Sequence, residues 1–337
     1  MSYERLIQQV FPLSSEASDA EHHNYDSQAA TLLTVGPGEH IVTALNTMIE
    51  GVHFLADYEA TALAYKAVVA SYSKLMAVGA KPICFQCNIS IPEIKVPWLK
   101  AFSAGLQEAS SQYGGLLSGV TLVTGKRAIA ISAMGKVHYS VELGTEQAAR
   151  AGDLIYVTGA LGDAGLALQR ILQQIPNDDS VSRYLERCLL RPTIPLDFAR
   201  ALYPQVTSCI DLAAGFTKDL QRILENTGLG ANIALENIPL SSQIQTIIER
   251  QAAYQYALNG GDDYQLCFTI RPEQREVIMR VAEHYDTVVS CVGTLSDEVG
   301  IRVIDAYGAE FTQKNSDHDH FAAVDFDEEQ SLDDTRD

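Results

Sequence analysis

The chain has 337 residues, room for two domains of ordinary size, and a formal net charge of -19 with no cluster of Lys or Arg to offset it, which argues against a nucleic-acid partner. Its longest apolar runs, Ala128-Ile129-Ala130-Ile131 and Ile155-Tyr156-Val157, have strand length rather than bilayer length, and Met1-Ser2-Tyr3-Glu4-Arg5 shows no signal pattern, so a cytoplasmic chain with no membrane segment is expected. The six cysteines, at 84, 87, 188, 209, 267 and 291, sit scattered in apolar surroundings and read as reduced thiols.

In chain order, residues 39–45 read as a strand and 60–78 as an amphipathic helix, with Leu63, Ala67, Ala70, Leu75 and Val78 spaced as its apolar face. A second strand is expected over 83–91. It holds Cys84-Phe85-Gln86-Cys87, two thiols on opposite faces with no second pair or histidine nearby, so buried core cysteines are favoured over zinc. Residues 98–113 read as a helix stopped by Gly114-Gly115, and 127–137 as an apolar strand. Strands and helices alternate, which gives an α+β chain.

A boundary is expected over residues 139–150, with domains at 1–138 and 139–321 and a disordered acidic tail at 322–337. In that tail Asp325, Asp327, Glu328, Glu329, Asp333, Asp334 and Asp337 crowd a stretch nearly free of apolar residues. Beyond the boundary, 151–159 reads as a strand, followed by the turn Gly159-Ala160-Leu161-Gly162-Asp163-Ala164-Gly165 and a helix over 166–174. Such a turn is either plain or a cradle of N–H groups for an anion. A strand at 208–212 and a helix at 217–227 precede Asn259-Gly260-Gly261-Asp262-Asp263-Tyr264.

Several segments share the order and spacing of one family. They are Glu50-Gly51-Val52-His53-Phe54, Leu63-Ala64-Tyr65-Lys66-Ala67, Val78-Gly79-Ala80-Lys81-Pro82, Gly152-Asp153 through Val157-Thr158-Gly159, Leu190-Arg191-Pro192, Asn259 to Tyr264, and Asp319-His320-Phe321. Together they resemble the thiamine-monophosphate kinases, of the superfamily that includes aminoimidazole ribonucleotide synthetase and selenophosphate synthetase, over residues 3–321. The resemblance implies a two-domain α+β fold. Its amino-terminal mixed sheet would form a β-barrel across a homodimer, and an α/β domain would follow. It also implies transfer of the ATP γ-phosphoryl group to thiamine monophosphate, with aspartates holding the magnesium ions that neutralise the phosphates.

The aspartates of that pattern are largely missing here. The family's amino-terminal G-D-D falls at Asp26-Ser27-Gln28, where at most Asp26 remains, and S-T-D-T appears as Ala44-Leu45-Asn46-Thr47. N-x-S-D appears as Ser71-Tyr72-Ser73-Lys74, and G-G-D-T as Ser118-Gly119-Val120-Thr121. I-D-L-S-D-G-L appears as Ile210-Asp211-Leu212-Ala213-Ala214-Gly215-Phe216, with only the first acid kept. Val120 and Ala214 cannot coordinate a cation, and Lys74 opposes one. The expectation is a kinase-like pseudoenzyme that does not bind magnesium and ATP in the family manner, with Asp26 and Asp211 as weak metal candidates. The alternative is an active kinase with an altered metal site, drawing on Asp26, Glu50, Asp211, Asp219, Asp262 and Asp263. Nucleotide or substrate candidates are Glu50, Gly51, His53, Thr121, Gly260, Gly261, Asp262, Asp263 and Tyr264. For His53, Asp262, Asp263 and Tyr264 a structural role stands beside the binding one. Lys74 either meets the phosphate of a small molecule without a metal or is simply solvated.

Overall fold

A computed structural model describes residues 3–11, 22–24, 31–138, 149–176, 179–203 and 205–312. Asp26, the boundary segment 139–148, Asp319-His320-Phe321 and the acidic tail lie outside them.

The first half is built on a four-stranded sheet in the order β3-β6-β4-β5, with β3 Glu39–Ile49, β4 Lys81–Ile91, β5 Leu116–Thr124 and β6 Ala128–His138. β6 pairs antiparallel with β3 and β4, while β4 and β5 run parallel. That parallel pair needs a crossover, supplied by α3, Val96–Tyr113. The short strands β1 His22–Asn24 and β2 Thr31–Leu33 form a separate ribbon, and α1 Tyr3–Val10 opens the chain.

One face of the sheet carries Met48, Ile129, Ile131, Phe85, Cys87, Ile89, Val120 and Leu122 into the core, as period-two alternation requires. Against it lies α2, Ala60–Ala77. Its spacing predicts an amphipathic helix, but α2 is buried almost all round, since it is flanked by the sheet, α3 and the second half of the chain. Its small residues allow that closeness, and Gly105 of α3 does too: a Cβ there would run into the Thr61 carbonyl oxygen and lie 2.9 Å from the Ala64 methyl.

The second half holds a six-stranded sheet in the order β12-β9-β11-β7-β10-β8. Its strands are β7 Leu154–Thr158, β8 Val206–Leu212, β9 Gly230–Ala234, β10 Gln265–Ile270, β11 Val289–Ser296 and β12 Gly300–Ile304. Only β9 and β12 are parallel. Around the sheet lie α4 Asp163–Leu172, α5 Ser180–Leu190, α6 Leu196–Leu202, α7 Phe216–Thr227, α8 Ser242–Ile247, α9 Arg250–Asn259 and α10 Arg275–His284.

Alternation divides its strands between two cores. Tyr156, Leu266, Phe268 and Ile270 join the cluster that contains α2, whereas Ile155, Val157, Leu212 and Cys267 pack with α7 and α9. The two halves therefore share one continuous core through α2. None of the six cysteines forms a disulfide, and Cys84 and Cys87 are core residues. Among the described residues no helix is long and apolar enough to cross a membrane.

Candidate functional site

The motif residues gather where α2 meets the carboxyl end of β8 and the turn before β10. Asp211 lies on the face of β8 turned to α2, nearly buried, and accepts a 2.7 Å hydrogen bond from the Ser73 hydroxyl. Beside Ser73, Lys74 is half-buried and makes no ion pair with a described residue. Eight residues before Lys74, Lys66 is 1% exposed and reaches across to Asp262 at 3.0 Å. Asp262 also accepts from the Tyr264 hydroxyl at 2.8 Å. An ammonium buried this deeply needs such a partner, so the pair pins α2 to the turn before β10.

The backbone of this turn is unusual. Asp262 and Tyr264 both adopt positive φ, 69° and 49°, while their N–H groups donate to the Ala213 and Leu212 carbonyls. Gly261 permits the approach, because a Cβ there would stand 2.7 Å from the Ala213 oxygen. The two glycine-bearing motifs, 213–215 and 259–261, are thus packed on each other.

Asp263 has a structural position. Its carboxylate accepts the Gly162 N–H, at 3.0 and 3.2 Å to its two oxygens, and so occupies the amino-terminal end of α4. Burial and the neighbouring charges of Asp163 and Asp262 raise its pKa well above the usual carboxylate value, against the lowering effect of the Gly162 N–H. The place an anion would take at the Gly159–Gly165 turn is thus filled by the Asp263 carboxyl group. Asp163 is also buried, and accepts from Ser241 at 2.6 Å and Tyr184 at 3.1 Å.

Asp219, in the first turn of α7, is fully buried and folds back to accept the Ala214 N–H at 2.8 Å. Its Oδ1 has no hydrogen-bond partner and lies 3.6 Å from the Arg222 guanidinium. Burial, with a further contribution from the nearby Asp211 charge, pushes its pKa up to about 6.

The candidates of the first half are distributed differently. Asn46, Ile131, Cys87 and Val120 occupy one register row across β3, β6, β4 and β5, and Val120, paired with Cys87, is 5% exposed. Thr121 lies on the opposite face, half-buried. Glu50 is engaged by Arg127, and the Nδ1 of His53 accepts the Ile49 N–H at 3.1 Å, closing the turn in which Gly51 takes a φ of 82°. Lys66 belongs to the segment Leu63-Ala64-Tyr65-Lys66-Ala67 that carries the resemblance but is not among the candidate site residues. Its signal is a lone lysine inside the apolar run Ala60 to Ala70. Among the described residues, no three His, Cys, Asp or Glu side chains converge as a metal site.

Residues 27–137 match the profile of the AIR synthase related protein, N-terminal domain, and residues 150–306 that of its C-terminal domain. The thiamine-monophosphate kinase of Haemophilus influenzae is 34% identical over 295 residues, 88% of this chain and 89% of the relative. That of Escherichia coli K12 is 31% identical over 293 residues, 86% and 90% of the two chains. The crystal structure of thiamine-monophosphate kinase from Stenotrophomonas maltophilia superposes with a TM-score of 0.81 at 29% identity, covering 85% of this chain and 92% of that one. The chain belongs to the AIR synthase related family and, within it, to the thiamine-monophosphate kinase family.

Proposed function

We propose that this family member is a pseudoenzyme: it keeps the fold, binds a phosphorylated small molecule or a protein partner, and does not perform magnesium-dependent phosphoryl transfer. The observation that carries this reading is the state of the side chains at the positions matching the family's aspartates. Val120 is a buried apolar side chain, Ala214 offers only its backbone, Asn46 has no charge and Lys74 brings an ammonium. Asp211 survives, but one of its oxygens is taken by Ser73. Magnesium demands several oxygen ligands in near-octahedral array, and these residues do not fit it.

An active kinase with an altered metal site is favoured by one feature, the orphaned Oδ1 of Asp219 beside Asp211. The other acids available to it are committed elsewhere, Glu50 to Arg127, Asp262 to Lys66 and Asp263 to α4. A coupled assay with ATP and thiamine monophosphate separates the readings. Turnover by the unmodified protein would refute the pseudoenzyme, whereas turnover appearing only after Asn46→Asp, Lys74→Asp, Val120→Asp and Ala214→Asp would support it.

A homodimer belongs to the same proposal. What supports it is the outer face of the four-stranded sheet, where Ile41, Leu45, Ile49 and Val123 stand exposed and Leu45 reaches 65%. The proposed division is 1–138 and 139–321, and the proposed compartment is the cytoplasm.

A further inference from the structure

Helix α5 and its C-cap present Arg183, Arg187 and Arg191 at four-residue intervals, on one face, and this face lines a cleft of about 630 Å³ together with the end of α4 and the start of α2. Arg191 is engaged by Glu108. Arg183 and Arg187 are exposed, and neither forms an ion pair with a described carboxylate. Apolar side chains line the same cleft: Leu190 of α5, Ile171 of α4, and Ile175 just beyond α4, which is 38% exposed. The acids of the cleft, Asp57 and Glu186, gather at Tyr58, whose pKa their charges raise after burial and the charge of Asp262.

One segment of the chain itself matches this surface. Residues 325–337 carry seven acids and the single base Arg336, with Val324, Phe326 and Leu332 spaced among the acids. A chain of net charge -19 repels such a segment over most of its surface, whereas two free arginines beside an exposed isoleucine attract it. The reach is sufficient. Thr312, the last described residue, accepts a 2.9 Å hydrogen bond at its carbonyl from Gln255 of α9, and α9 packs on α4, which packs on α5. Two interhelix spacings make about 20 Å, while the stretch from Thr312 to Asp325 spans up to about 45 Å when extended.

We propose that residues 322–337 dock in this cleft of their own chain, with Asp325, Asp327, Glu328 and Glu329 on Arg183 and Arg187 and with Val324 and Phe326 on the apolar wall. A segment of this composition has too few apolar residues for a core of its own and orders only on a complementary surface. Charge-assisted hydrogen bonds to the guanidinium groups hold it, and the apolar side chains set its register. None of Asn46, Lys74, Val120, Asp211 or Ala214 lines the cleft, so the contact stands whether or not the chain transfers phosphate.

Binding of a fluorescein-labelled peptide of residues 322–337 to the full chain, followed by anisotropy at low ionic strength, tests it. The wild type is compared with a chain whose own tail is neutralised by Asp325→Asn, Asp327→Asn, Glu328→Gln and Glu329→Gln. The neutralised chain is expected to bind the peptide saturably, one per chain. The wild type should bind it about tenfold more weakly, because its own tail competes at an effective concentration on the order of 1 mM against a Kd on the order of 0.1 mM. Arg183→Gln/Arg187→Gln added to the neutralised chain should lower affinity at least about tenfold at an unchanged unfolding temperature, and Phe326→Ser in the peptide should lower it several-fold. Five results overturn the proposal: no saturable binding to the neutralised chain, equal binding by the two chains, affinity indifferent to the two arginines, equal affinity for a scrambled peptide, or a wild-type deficit that vanishes on dilution, as docking between two chains would give.

Discussion

Replacing Asp219 with Asn probes the buried acid at the centre of the site. Its pKa is raised from 3.8 to about 6, chiefly by burial. A raised carboxyl pKa means that the fold prefers the protonated form. The contribution is fully present below the unfolded value, near pH 4, and is lost as pH rises through about 6. Two units correspond to about 3 kcal/mol at most, so ionised Asp219 costs on the order of 2–3 kcal/mol at pH 8. Asparagine keeps an acceptor for the Ala214 N–H and carries no charge. Urea unfolding is therefore expected to show Asp219→Asn ahead of the wild type by about 1 kcal/mol or less at pH 4.5 and by on the order of 2–3 kcal/mol at pH 8. Magnesium at millimolar concentration should leave that difference unchanged if Asp211 and Asp219 do not hold the ion, and should shrink it by stabilising the wild type if they do. An advantage for the variant that is equal at both pH values would refute the assignment of burial as the cause.

Three other outcomes follow from the packing. Lys66→Met strands Asp262 beside the core and is expected to cost about 3 kcal/mol in urea unfolding, with Lys66→Met/Asp262→Asn recovering a good part of it; additive losses would contradict the pairing. Gly105→Ala forces α3 off α2 and should lower stability by about 1–3 kcal/mol, where an unperturbed midpoint would mean the helices separate without cost. Leu45→Glu on the exposed sheet face should convert a dimer to monomer in sedimentation, and a dimer of unchanged stability would remove that face from the proposed interface.

Much of the first half was legible because its elements carry their own periodicity. Residues 83–91 and 98–113 fall inside β4 and α3, and β3 extends the expected strand only at its end. β5 was not legible: Ser118-Gly119-Val120-Thr121 has no strand alternation, and its conformation comes from parallel pairing with β4. The same holds for β9 and β11, rich in glycine, serine and small residues, and for the five-residue β12, all defined by distant partners. α2 shows the reverse, since periodicity finds the helix but not that tertiary packing covers its polar side and buries Lys66.

At the site, glycine motifs were readable as turns, but their partners were not. Gly162 and Asp263 are 101 positions apart, and nothing local to either shows that one caps the other. The link between Ser73 and Asp211 spans 138 positions and depends on how the two halves meet. Charge loss at Asn46, Lys74, Val120 and Ala214 was legible from the resemblance alone. Where those side chains lie required the register of the first sheet and the path of α2.

The most direct test is a single-turnover measurement with ATP, thiamine monophosphate and magnesium on the unmodified protein. No thiamine diphosphate above the uncatalysed background is expected. Formation of thiamine diphosphate that depends on magnesium and disappears in Asp211→Asn/Asp219→Asn would contradict it.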